Sequence, residues 1–302
     1  MGKPEQLLLQ DQVDQEHLAA ALLEQYYAPL HYLAYSILDD AEEAEDIVQE
    51  TFLSAYQIDE QKIDNMKAYL CKIMTNRCLD VLKSARYKRE HYVGPWNPEP
   101  LLLEKSLEFD PPAIVLQKEG LSIAYLRMME HLAPDERAVL ILREVFDFSY
   151  VEIAKIIEKK EDNCRKIYSR AKQKSSLIEG ESLDYEKNKS IIDSFIQAFQ
   201  VQNIDALLEL ISENVTLYSD GGGKVNAAVR PIVSSSNVLA FLYGIIKKVP
   251  EDFYFEVKHV NSQPAIVIYV NGKIQSILSF TIRNNKIYEM YITLNPDKLP
   301  IH

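Results

Sequence analysis

The apolar period of this chain changes once. Through about residue 180, apolar residues recur at spacings of three and four, the signature of amphipathic helices. After the polar stretch 179–189 the chain offers one more helix, Ser190–Gln200, and an amphipathic stretch, Ile204–Ile211. It then turns to strand-like runs at Val215–Tyr218, Phe253–Val260, Ala265–Val270, Ile274–Ile282 and Ile287–Leu294. Asn271-Gly272 between two of those runs is a strong hairpin signal. This order predicts helical units followed by an α+β unit in which helices precede a curved antiparallel sheet. At 302 residues the chain is long enough for two or three such units.

Local signals divide the helical part. Asp39 and Asp40 are N-cap candidates, with Glu42 and Glu43 in the first turn. Ala44, Ile47, Val48, Phe52, Ala55 and Tyr56 then mark an apolar face, opposite Glu45, Asp46, Gln49 and Glu50. A second helix is expected from about Asn65 to about Ser84, burying Tyr69, Leu70, Ile73, Met74, Leu79, Val81 and Leu82. Gly94-Pro95, Asn97-Pro98, Glu99-Pro100 and Pro111-Pro112 forbid a continuous helix, so a linker with Trp96 as an aromatic anchor is expected there. Helices resume over Ala113–His131 and from Pro134 to about Val145. Ser149-Tyr150-Val151-Glu152 is a capping box, and after the polar turn Glu158–Glu161 a helix carries Cys164, Ile167, Tyr168 and Ala171 on one side. The boundaries that follow are 1–90 and 113–178 for two helical domains, 190–302 for the α+β domain, and 91–112 and 179–189 for linkers.

Charge is distributed against the same map. The net charge is −12, yet residues 1–60 hold fourteen acids against Lys3. From Lys67 to Arg89 the sign reverses, with Lys67, Lys72, Arg77, Lys83, Arg86, Lys88 and Arg89 opposed by Asp80. A second basic run holds Lys159, Lys160, Arg165, Lys166, Arg170, Lys172 and Lys174. Two basic stripes on an acidic protein suit a polyanion gripped at two points, or two solvated helix faces. Ser149–Gln173 reads as a helix-turn-helix, whose second helix offers Asn163, Arg165, Lys166, Ser169 and Arg170 as donors for base edges and phosphates. Basic helical hairpins also occur as plain structure.

Gly221, Gly222 and Gly223 form a run of three, within Asp220 to Val225. They fit a docking loop or tight turn better than a phosphate cradle, since no Lys-Ser/Thr follows and no helix clearly begins there. Asp220, Tyr218 and His259 could alternatively form an acid/base site. Cys71, Cys78 and Cys164 make no disulfide framework, and the six histidines show no zinc-ligand spacing, so no metal or cofactor is expected. No apolar run approaches a membrane span and no signal-peptide pattern opens the chain, so a cytoplasmic protein without a membrane partner is expected.

The run Asp39-Asp40-Ala41-Glu42-Glu43-Ala44-Glu45-Asp46-Ile47-Val48-Gln49-Glu50-Thr51-Phe52-Leu53 resembles the polymerase-binding region 2 of extracytoplasmic-function sigma factors of the sigma-70 family. Ala68-Tyr69-Leu70 through Ile73, Thr75-Asn76, Asp80 and Leu82 resembles the next helix of that region, which meets the promoter −10 element. Leu132-Ala133-Pro134-Asp135-Glu136-Arg137-Ala138-Val139 with the helix-turn-helix resembles region 4, which reads the −35 element. The resemblance implies core RNA polymerase and promoter DNA as partners. It places Asp46, Gln49, Glu50 and Phe52 on polymerase, Asn76 and Asp80 at an extruded −10 base, and Lys72, Arg77, Lys83 and Arg86 on the backbone. The turn Glu158-Lys159-Lys160-Glu161-Asp162 departs from related sequences, which commonly have a glycine there.

Tyr92–Pro100, Asp220-Gly221-Gly222-Gly223-Lys224-Val225 and Asn295-Pro296-Asp297-Lys298-Leu299 are similar to signature segments of the subgroup with a SnoaL-like extension, an α+β roll shaped as a cystatin-like cone. The implied interdomain contacts are Trp96, Asp220, Gly221, Gly222, Gly223, Lys224, Asn295, Pro296, Asp297 and Lys298. The expected protein is an alternative sigma factor, not an enzyme, whose C-terminal domain regulates it. The rivals are a SnoaL-like enzyme recruited to DNA and a ligand-sensing DNA-binding regulator; any small ligand of the roll is unknown.

Overall fold

The computed structural model describes residues 23, 25–38, 40–56, 63, 65–89, 92–102, 122–175, 182–250 and 252–300, without the side chains of residues 56 and 84–89. Asp39, the Pro111-Pro112 break and the first part of the helix expected from Ala113 lie outside them. The described residues form two compact units: one holds residues up to 85 and 132–173, the other holds 86–102, 122–131 and 174–300. The helices are α1 (25–38), α2 (Ala41–Tyr56), α3 (Met66–Arg89), α4 (Ile123–Met129), α5 (Pro134–Glu144), α6 (Tyr150–Ile156), α7 (Glu161–Ser175), α8 (Tyr185–Gln200), α9 (Ile204–Leu210) and α10 (Ser235–Ile246).

The first unit is all helix. Asp40 Oδ1 accepts from the Glu43 N–H at 2.9 Å and starts α2. Leu70, Met74, Cys78 and Leu82 recur every four residues along α3 and are buried with Leu30, Leu33 and Ile37 of α1 and Ala44, Ile47 and Val48 of α2. Burial pushes the Cys71 thiol up to about 12 and raises that of Cys78 as well, so both behave as small apolar residues. Ser149 Oγ accepts from the Glu152 N–H, and the Glu152 carboxylate accepts back from the Ser149 N–H at 2.8 Å, the capping box that opens α6. The turn to α7 places Glu158 at φ 55°, the left-handed conformation that glycine would adopt without strain. The turn is kept despite the missing glycine.

The second unit is an α+β roll with the segments 92–102 and α4 laid on it. Its six strands are β1 (Ile211–Asp220), β2 (Ile232–Val233), β3 (Tyr254–Val260), β4 (Gln263–Val270), β5 (Lys273–Arg283) and β6 (Lys286–Thr293), in the order β2-β1-β6-β5-β4-β3. Three two-residue turns join β3 to β6, at Asn261-Ser262, Asn271-Gly272 and Asn284-Asn285, and all six residues have positive φ, as type I′ hairpins require.

Two expectations need correction. The sheet is mixed, because the meander β3–β6 returns β6 alongside β1 in the same direction, pairing Leu217 with Met290 and Tyr218 with Tyr291. The helix expected from Ser190 begins at Tyr185, capped by Asp184, whose side chain accepts from the Lys187 N–H.

Val215, Leu217, Ile266, Leu278, Phe280, Met290 and Ile292 point to one face, where Ile192, Phe195, Leu207, Val238, Leu239 and Leu242 of α8, α9 and α10 cover them. The opposite face carries Val260, Ala265, Val267, Tyr269 and Ile277, covered by Leu102 and Leu299. A strand buried on both faces loses its alternation, which is why β4 reads as a nearly continuous apolar run.

Candidate nucleic-acid interface and linker-docking site

On α2, Asp46, Gln49 and Glu50 are exposed and Phe52 is half-buried. Glu50 forms an ion pair with Arg77 of α3, whose second nitrogen donates to Ser54 Oγ at 2.9 Å. Lys72 is paired with Glu158 at 2.9 Å, and Lys83 with Asp80 at 2.8 Å. Asn76 is half-buried on the same helix; the Arg86 side chain lies outside the described residues. Asn163, Arg165, Lys166, Ser169 and Arg170 are all exposed on α7, while Cys164, Ile167 and Ala171 are buried. Arg165 is held by Glu161 at 2.5 Å and lies 4.5 Å from the Tyr150 ring centroid. This is the division a groove-reading helix needs, one apolar face inward and one cationic face out.

Behind α7, Glu144 accepts from Tyr168 and from Lys172 at 2.8 Å. Burial raises the Glu144 carboxyl, but these two hydrogen bonds outweigh it and hold it below the usual range. Burial, reinforced by Glu144, pushes the Tyr168 hydroxyl up to about 12.

Within this first unit, α3 touches the helix-turn-helix. Lys67 donates to the Phe146 carbonyl at 3.4 Å and lies 5.0 Å from the Phe148 ring centroid. The buried Arg137 donates to the Ile37 carbonyl at 2.5 Å. A cleft of about 280 Å³ opens between α3 and α6, lined among others by Tyr69, Lys72, Glu152 and Ile156.

The second unit gathers the glycine loop, the proline-rich segment and the tail around one carboxylate. Asp220, at the end of β1, is fully buried. Its Oδ1 accepts from the Tyr92 hydroxyl at 2.5 Å and the Gly222 N–H at 3.0 Å; its Oδ2 accepts from the Asn97 N–H at 2.8 Å and Lys298 Nζ at 2.9 Å. Lys298, 7% exposed, also donates to the Asn97 carbonyl at 2.6 Å and lies 3.1 Å from the Trp96 ring centroid. Burial, then the hydrogen bond to Asp220, pushes the Tyr92 hydroxyl far up.

Asn295 donates to the Tyr92 hydroxyl at 3.0 Å, and Lys224 pairs with Asp297 at the surface. Gly222 has φ +59°, and a Cβ there would stand 2.5 Å from Asn295 Nδ2. Gly223, at φ +70°, lies against Val93, and a Cβ at Gly221 would stand 2.5 Å from the Val225 carbonyl oxygen. Of the candidate contacts, Pro296 stands at the surface in the first turn of a short 3-10 helix.

Farther along, Leu101 and Asn261 exchange backbone and side-chain hydrogen bonds at 2.9 and 3.1 Å, and Leu102 bridges Val260. Tyr92, Asn97, Asn261 and Arg127 belong to this site and were not among the residues expected for it. Tyr92 and Asn97 stand within a recognised segment, but nothing local marks Arg127 or Asn261. His259, on β3, packs against Tyr185 with ring centroids 4.5 Å apart and planes tilted by 49°, and three strands separate β3 from β1, so the sheet does not bring it to Asp220.

Sigma-70 region 2 matches residues 22–87 and sigma-70 region 4 matches residues 122–174. The ECF RNA polymerase sigma factor SigJ of Mycobacterium tuberculosis is 28% identical over 280 residues, covering 88% of each chain. The probable ECF RNA polymerase sigma factor SigI of the same species is 27% identical over 272 residues, covering 88% of this chain and 90% of its own. The crystal structure of SigJ superposes with a TM-score of 0.75 at 24% identity over 92% of this chain and 97% of that one, so the fold is shared through the C-terminal roll. The chain carries sigma-70 regions 2 and 4 followed by a C-terminal α+β roll and is similar over most of its length to extracytoplasmic-function sigma factors; it is an alternative sigma factor that binds core RNA polymerase and promoter DNA to direct transcription initiation.

Proposed function

We propose that the roll regulates promoter use by holding the segment between regions 2 and 4, and that it does so without catalysis, in the cytoplasm. Region 2 meets polymerase through Asp46, Gln49, Glu50 and Phe52. It reads the −10 element with Asn76 and Asp80 while Lys72, Arg77, Lys83 and Arg86 hold the backbone. Asn163, Arg165, Lys166, Ser169 and Arg170 serve the −35 duplex. Regions 2 and 4 touch each other in the first unit, and reading two promoter elements at once requires them to part. A domain that binds the closed and open arrangements unequally shifts that equilibrium.

The observation that carries this reading is the buried Asp220, which spends both oxygens on Tyr92, Asn97, Gly222 and Lys298 and so fixes the segment after region 2 to the roll. The same saturation argues against catalysis, because a carboxylate with about four lone-pair sites already engaged has none to take a substrate proton. The test is run-off transcription with core polymerase, comparing the full chain with truncations lacking residues 190–302 or only 295–302. Both should bind core enzyme and transcribe at levels different from the full chain and from each other. Equal rates from all three proteins would refute regulation by the roll.

A further inference from the structure

Arg127 lies in the last turn of α4, in the opening helix of region 4, yet its partners belong to the segment 92–102 and to the roll. Its Nη1 donates to the Trp96 carbonyl at 2.7 Å and to Asn97 Oδ1 at 2.9 Å. Its guanidinium carbon stands 3.9 Å from the ring centroid of Tyr218 and 5.3 Å from that of Tyr291. Those rings are themselves stacked, 5.5 Å apart at 11°, on paired positions of β1 and β6. The Tyr291 hydroxyl donates to Glu289 at 2.7 Å, which places a carboxylate behind the aromatic platform. The planar guanidinium lies over a ring face while one of its nitrogens donates to two oxygens, a stacked geometry that a compact ammonium matches less well.

The consequence lies in the tether between the two promoter readers. From the end of α3 to Ser122 the chain runs for about thirty residues, and a free flexible chain of that length spans roughly 30 Å root-mean-square. Here one part of it, 92–102, is fixed to the roll by Asp220 and Asn261, and the helix that follows it meets the same roll through Arg127 over the Tyr218 and Tyr291 rings. We infer that Arg127 is a positioning residue: it anchors the first helix of region 4 on the Tyr218–Tyr291 platform and so narrows the range of −35 to −10 separations that the protein accepts. This rests on the assignment of the roll as a regulator of promoter reading.

The test uses the full chain and two readouts. Acrylamide quenching of the single tryptophan, Trp96, reports docking without polymerase. Run-off transcription on promoters whose spacer is lengthened or shortened by one or two base pairs reports positioning. Arg127→Ala should raise the undocked fraction roughly threefold to tenfold, as loss of a cation–π contact and its hydrogen bonds implies. It should also flatten the spacer profile while core polymerase binding stays within about twofold. Arg127→Lys should fall between wild type and Arg127→Ala on both readouts. Tyr218→Leu, which keeps apolar bulk but removes the ring, should repeat the Arg127→Ala phenotype and add little to it. A spacer profile unchanged in Arg127→Ala overturns the inference, whether or not Trp96 becomes more accessible. Failure of the underlying reading shows differently, as a roll truncation that transcribes like the full chain while the Trp96 signal still responds to Arg127→Ala; that result also removes the inference.

Discussion

Replacing Lys298 with methionine isolates the energetics of the linker cradle. The side chain keeps its stem as far as the Cε position, and its contact with Trp96 becomes apolar, but the ammonium that donates to Asp220 Oδ2 at 2.9 Å and to the Asn97 carbonyl at 2.6 Å is gone. Asp220 is fully buried, so its charge is left with the Tyr92 hydroxyl and two backbone N–H groups and no counter-ion. Removing one partner of a buried ion pair costs about 3–5 kcal/mol, mostly the penalty of the stranded charge. For a unit of this size each kcal/mol is worth about 2–4 °C, so its melting midpoint should fall by roughly 6–20 °C, with Trp96 emission moving toward that of a solvated indole.

Asp220→Ala alone strands Lys298 in the same way, whereas the double variant removes both charges. The double should therefore cost less than the sum of the singles by about 2 kcal/mol or more. A midpoint drop below about 2 °C for Lys298→Met, or additivity within about 0.5 kcal/mol, would refute the argument that the pair is desolvated and coupled.

Gly222→Ala should weaken the cradle by about 1–3 kcal/mol, since it forces a Cβ into Asn295 at a left-handed φ; an unchanged thermal melt would contradict this. Arg165→Ala or Arg170→Ala should cost about 1–3 kcal/mol in promoter affinity, relaxing selectivity where a base contact is lost and weakening all sequences alike where a phosphate contact is lost. If both, together with Lys166→Ala, leave gel-shift affinity and selectivity untouched, α7 is not the recognition helix. The lowered carboxyl of Glu144 means that the folded state binds its proton less readily than the unfolded chain. Its contribution is present above the ordinary glutamate value of about 4.3 and lost as pH falls through the lower folded value, so Glu144→Gln should matter less at acid pH than near neutrality. Equal melting differences at both pH values would contradict that assignment.

What was legible in the sequence was local. The capping of α2 by Asp40, the Ser149–Glu152 box and the Asn271-Gly272 hairpin each depend on groups within a few residues of one another. The buried stripe Leu70, Met74, Cys78 and Leu82 and the exposed cations of α7 follow from helical period alone. Local chemistry also explains the strand runs, though not the second pair of hairpin turns, whose Asn261-Ser262 and Asn284-Asn285 carry a weaker signal than a glycine.

What only the tertiary structure decided was partnership. Period two says that a strand has faces but not which strand lies beside it, so the parallel pairing of β1 with β6 emerged only when the meander returned. Asp220, beside the glycine run, could have belonged to a docking loop, a phosphate cradle or an acid/base site; it became the keystone of the linker because residues from positions 92, 97 and 298 converge on it. Nothing local marks Arg127, and its role follows only from the Tyr218–Tyr291 platform beneath it. Periodicity and capping are fixed by bonds that span a few residues, whereas the energy of a buried charge or a stacked cation depends on which distant groups replace the water it gives up.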